Sequence, residues 1–100
     1  MKTLLIDDLR NIPADVIARN YMDGITALKH QGPFSILYLD HDLGDYEEGV
    51  EKTGYDIMCF LEVNPELLPK KIICVSSNPV GRQKIQVVID KLYKGTKNEN

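Results

Sequence analysis

The 100-residue sequence predicts an α/β fold built on a mainly parallel sheet of about four strands. Two observations predict it. Three short apolar runs, TLLI, SILYL and KIICV, are continuous rather than alternating, as in parallel strands covered on both faces. Amphipathic stretches with helical spacing and capping residues separate these runs, so strands and helices alternate along the chain. The length is that of one domain with a single core.

The first strand is residues 3–6. A weaker strand, residues 15–19 (DVIAR), follows a connection containing Pro13. That connection is short for a parallel crossover, which usually takes a dozen or more residues, so the direction of this strand stays open. Residues 21–31 form a helix with Tyr21, Ile25 and Leu28 on one face, ended by Gly32-Pro33. A strand at 35–39 comes next, then a helix at 54–63 carrying Ile57, Met58 and Leu61 and ended by Asn64-Pro65. The last strand is 71–75. The last helix, 79–93, places Ile85, Val88, Ile89 and Leu92 in one stripe, with Asn78 as N-cap and Pro79 at its first position. The order is β-β-α-β-α-β-α with right-handed crossovers. Residues 1–93 read as one domain and 94–100 (KGTKNEN) as a polar tail.

Composition removes several function classes. No apolar run approaches the roughly 20 residues of a membrane span, and the start, MKTLLIDDLR, runs into two Asp instead of a signal cleavage site. The expectation is a cytoplasmic protein with no membrane partner. Cys59 and Cys74 lie in apolar surroundings and read as buried reduced thiols. A net charge of −3 argues against broad DNA binding. From Asp40 to Asp56 there are seven acidic residues and one Lys, which suits a divalent cation or a solvated loop.

In open α/β sheets, ligands bind beyond the carboxyl ends of the strands. Asp7, Asp8 and Arg10 follow the first strand, Asp40, His41 and Asp42 the third, and Ser76, Ser77, Asn78, Gly81 and Arg82 the last. Asp7, Asp8, Asp40 and Asp42 would repel one another in one crevice unless a cation such as Mg²⁺ (or Mn²⁺) sat among them. The plain alternative is that these Asp cap turns. His41 between two Asp suits proton transfer or metal binding, or packs under the sheet rim. The segment SSNPVGR opens the last helix, where backbone N–H groups, Ser76, Ser77, Asn78, Gly81 and the Arg82 fork would bind phosphate; Asn-Pro is also ordinary capping chemistry. Arg10 reads as a phosphate ligand or as the ion-pair partner of an Asp.

The chain has no Walker A or GxGxxG sequence. Asp40-x-Asp42 looks like the motif of haloacid-dehalogenase-type phosphatases and of Toprim nucleases. The first lacks its downstream Lys and acidic pair here, and the second wants a Glu after the first strand.

Asp7-Asp8, then Asp40, then Ser76 or Ser77 stand in receiver-domain order. A closer resemblance is to the family of cyclic-phosphate processing receiver domains, carried by DDLRNIP, LDHDLG, TGYD (53–56) and S-x-NPVG (76–81). It implies a receiver-like (flavodoxin-like) three-layer sandwich, truncated by the first helix and by the fifth strand with its Lys. It implies a Mg²⁺ site at Asp7, Asp8 and Asp40, with Asp40 as the phosphoryl acceptor of receivers. Members often carry His where this chain has Val75. The resulting expectation is Mg²⁺-dependent hydrolysis of a cyclic phosphate on a nucleotide or RNA end, with Asp40 and His41 catalytic. The alternative is a non-catalytic, degenerate receiver that binds a phosphorylated small molecule or docks to a partner, its open sheet edge leaving room for a homodimer.

Overall fold

The computed structural model describes residues 2–94. Along them run β1 (Thr3–Ile6), β2 (Val16–Ala18), α1 (Tyr21–His30), β3 (Ile36–Leu39), β4 (Asp45–Glu47), β5 (Val50–Lys52), α2 (Gly54–Val63), β6 (Lys71–Cys74) and α3 (Pro79–Leu92), with a 3-10 turn at Pro65–Leu67. Four of these strands pair in the order β2-β1-β3-β6, and every pairing is parallel. The fold is the α/β architecture of a truncated receiver, with no helix between β1 and β2. Of the expected polar tail, residues 95–100 lie outside the described residues.

The direction of β2 is now settled as parallel to β1. The short connection suffices because β1 has only four residues, about 13 Å of strand, while residues 7–15 extended reach up to about 30 Å. Asp15 fixes the register on arrival: its carboxylate accepts from the Thr3 N–H at 2.8 Å, and its own N–H donates to Thr3 Oγ1 at 3.0 Å.

Alternation along the strands divides their side chains between two faces. Leu4, Ile6, Ala18, Leu37, Leu39, Ile72 and Cys74 face Ile25, Leu28, Ile57, Met58, Leu61, Ile85 and Ile89 in one buried cluster. The helices form a single layer there, α1 against α2 and α2 against α3. Leu5, Ile17, Ile36, Tyr38 and Ile73 point the other way and do not belong to that cluster. The three-layer arrangement is thus truncated further than the absent first helix implies. Among the described residues only one face of the sheet carries helices. On the other, Arg19 ties down the 7–15 connection by donating to the carbonyls of Asp7 (3.2 Å) and Arg10 (2.6 Å) and to Asn11 Oδ1 (2.7 Å).

The antiparallel hairpin β4-β5 was not expected. Its turn, Glu48-Gly49, has both residues at positive φ (54° and 79°), the two-residue turn that matches strand twist. The hairpin is stitched to α1, where Tyr21 N–H donates to Asp45 Oδ2 at 2.9 Å and Lys52 Nζ stands 5.4 Å from the Tyr21 ring centroid. Side chains cap the helix starts: Asn20 for α1, Thr53 with Asp56 as a reciprocal box for α2, and Asn78 for α3. The TGYD segment is therefore built into the start of α2.

Candidate functional site

Parallel strands deliver their carboxyl ends to one edge, and the ladder extends one residue further at each. Asp7 N–H donates to Ala18 O (3.1 Å), Asp40 N–H to Ile6 O (3.0 Å) and Val75 N–H to Leu39 O (3.0 Å). These bonds hold Asp7 and Asp40 side by side at the ends of neighbouring strands. Asp7, Asp8 and Asp40 each offer a carboxylate oxygen, and these oxygens lie within 4.8 Å of one another. They border an open pocket of about 340 Å³ whose wall also includes Leu9, Arg10, Asp42 and Ser77.

The carboxylates differ in their partners. Asp7 is fully buried, and its Oδ1 accepts from the N–H groups of Leu9 and Arg10, both at 2.9 Å. The Arg10 guanidinium stands 3.1 Å from Asp7 Oδ2 and 3.6 Å from Asp40 Oδ1. Burial opposes the charge on Asp7, but these donors outweigh it and hold the carboxyl below its ordinary value. For Asp40, burial and the neighbouring Asp7 charge prevail over bonds from the His41 N–H and the Ser76 hydroxyl and over the Arg10 charge, and its pKa is raised. Asp8 is half-buried, and its carboxylate has no partner among the described residues. The donor set is all oxygen, suiting a hard divalent cation.

Asp42 lines the same pocket but stands outside the group of three. Its carboxylate is 2.9 Å from His41 Nδ1 and accepts from Asn78 Nδ2 at 3.2 Å. The His41 contact holds the Asp42 carboxyl below its ordinary value. His41 does not line the pocket. Its ring rests on Gly81, where any Cβ would fall inside contact distance.

At the start of α3, Asn78 is the N-cap that the sequence predicts. Asn78 Oδ1 accepts from the N–H groups of Val80 (3.1 Å) and Gly81 (3.2 Å), and Arg82 N–H donates to Asn78 O (2.8 Å). Pro79 has no N–H to offer, so the first turn is capped from within and Gly81 holds His41 instead of presenting a donor. Ser76 is buried, accepting from Asn78 N–H at 3.1 Å, whereas exposed Ser77 lines the pocket with no hydrogen-bond partner among the described residues. Arg82 is exposed and lies outside the pocket wall. The structure thus brings together Asp7, Asp8, Arg10, Asp40, Asp42 and Ser77, with Asn78 adjoining. Sequence reasoning missed Leu9, an apolar residue in the pocket wall, and Arg19, whose predicted place in a strand rather than after one hid its contacts with the 7–15 connection.

The order of these motifs and their convergence at one sheet edge point to a receiver-type family. Residues 2–91 match the family described as cyclic-phosphate processing receiver domain. The chain belongs to that family. Comparison with curated proteins and with solved structures found no match. Among the described residues, no helix is long and apolar enough to cross a membrane.

Proposed function

We propose that the domain hydrolyses a cyclic phosphodiester on a nucleotide or RNA end, with Mg²⁺ (or Mn²⁺) held by Asp7, Asp8 and Asp40. The observation that carries the reading is the approach of these three carboxylates to within 4.8 Å, one of them unpartnered, beside Arg10 and Ser77. Membership of a family described by cyclic-phosphate processing supports the substrate class. When bound, the ion would polarise a phosphoryl oxygen and lower the pKa of an attacking water.

The chain's own groups do the rest. Arg10 turns from the Asp pair to a phosphoryl oxygen, and the Ser77 hydroxyl donates to another. Asp40, beside both ion and water, accepts the proton of the attacking water. The water oxygen bonds to phosphorus, one ring P–O bond breaks, the departing ring oxygen takes a proton from solvent and becomes a hydroxyl, Asp40 returns its proton to solvent, and a monoester results. His41, held by Asp42 and resting on Gly81, positions the turn after Asp40.

The test is ³¹P NMR of a 2′,3′-cyclic nucleotide with the protein and Mg²⁺. Wild type should yield monoester, and Asp40→Asn should be slower by at least about 100-fold, as expected for loss of a group that touches both metal and water. Equal rates would overturn the assignment of Asp40. A shifted phosphate signal without conversion would replace hydrolysis by a phosphate-binding, regulatory role.

A further inference from the structure

One surface beside the acidic pocket is unused by this reaction. An open groove of about 450 Å³ runs between α2 and α3, lined by Tyr55, Val80, Gln83, Lys84, Val87 and Val88. Val80 and Val87 are 65% and 60% exposed and Tyr55 is 39% exposed, a contiguous apolar strip. Val80, Lys84 and Val87 follow one another along α3 at helical spacing. The head of the groove is linked to the pocket wall through Asn78, which donates to pocket-lining Asp42 at 3.2 Å and accepts from the N–H of groove-lining Val80 at 3.1 Å. Tyr55 follows Gly54, whose N–H donates to His41 O at 2.8 Å, and Val80 precedes Gly81, on which the His41 ring rests. Arg82 and Lys84 have no ion pair, and the Gln83 amide no hydrogen bond, among the described residues.

We propose that this groove is a base subsite: it takes the nucleobase of the nucleoside whose phosphate enters the acidic pocket. The inference rests on the function proposed above and names the part of the substrate that the pocket itself leaves out. The volume is that of a small-molecule site. Tyr55 supplies a ring for stacking. Gln83 has both a donor and an acceptor for a base edge, and the unpaired Lys84 complements a phosphorylated ligand.

The test is an amide-resolved NMR titration of the full chain with Mg²⁺. The probes are inorganic phosphate, adenosine, adenosine 2′,3′-cyclic phosphate and a short oligoribonucleotide ending in the same cyclic group. Phosphate should shift residues 7–10 and 76–78 only. A cyclic-phosphate probe should also shift residues 55–58 and 80–88, and whether the mononucleotide or the oligonucleotide binds tighter tells a free nucleotide from an RNA end. Val87→Asp, an exposed change, should weaken the cyclic nucleotide about 10-fold and leave phosphate unaffected. Cyclic-nucleotide shifts confined to the pocket, or unchanged affinity in Val87→Asp, would sink the base subsite alone. Groove shifts with adenosine but no pocket response to phosphate would remove the phosphate reading and keep a nucleoside site. Self-association in sedimentation that Val87→Asp abolishes would make the groove a contact between two copies and overturn the proposal.

Discussion

Asp7 and Asp40 are the same side chain at the ends of neighbouring strands, yet they titrate in opposite directions. Asp7 overcomes burial with two backbone N–H groups and Arg10, so its carboxyl is lowered. It contributes stability above the ordinary carboxylate pKa, and that contribution is lost as pH falls through the lowered value. Asp40 is raised, first by burial and then by the charge of Asp7. Its ionised form therefore costs stability near neutral pH, and the cost disappears as pH falls through the raised value. A cation among the three carboxylates would reverse that cost. Without metal, Asp40→Asn should melt at or above the wild-type temperature. Mg²⁺ at about 100 times its Kd should stabilise wild type by about 2.7 kcal/mol and leave the variant unmoved. The wild-type gain should shrink toward about pH 4.5, because protons compete for the ligand oxygens. Thermal melts with and without Mg²⁺ at two pH values check this; equal Mg²⁺ gains in both proteins would remove Asp40 from the ligand set.

At the scale of elements, the start of α2 closes onto the end of β3 through Gly54. A Cβ there would enter the Asp40 carbonyl oxygen and meet Ile85 Cδ1 at 3.0 Å. Gly54→Ala should cost roughly 3 kcal/mol, since backbone on both sides must shift. Gly49→Ala at the hairpin turn meets open space and should cost only about 1 kcal/mol, for its positive φ. Urea midpoints compare the two. These elements also show what a sequence can disclose. The helices were legible from the spacing of Tyr21, Ile25 and Leu28, of Ile57, Met58 and Leu61, and of Ile85, Val88, Ile89 and Leu92, and the start of α3 also from Asn78 before Pro79. The hairpin was not, because DYEEGVEK is acidic and poor in strand formers, and its turn depends on Glu48 adopting a positive φ. The carboxylates were legible from their places after the apolar runs. Their partnerships were not: nothing in the spacing tells that Gly81 seats His41 or that Arg10 stands between Asp7 and Asp40.

For the whole molecule, the decisive feature is a helix layer on one side of the sheet, with Leu5 fully buried on the other. β3 lies between β1 and β6, and its apolar run cannot say by itself which residues face the helices. In the structure Leu37 is fully buried among residues of the helix layer, while adjacent Ile36 is half-buried on the face that carries none. The two side chains have nearly the same transfer free energy, so any difference between their truncations reports the surroundings. Leu37→Ala removes a side chain packed on every side and leaves a cavity that rigid neighbours cannot close, a loss of about 2–5 kcal/mol. Ile36→Ala loses only partial burial, and water or a shifting side chain fills the space, so roughly 1 kcal/mol is expected. Paired urea denaturation of the two variants reads the difference directly. Equal losses would mean that a second layer covers the far face in solution, supplied by another copy of the chain. The losses should then depend on protein concentration, as they do for folding coupled to association.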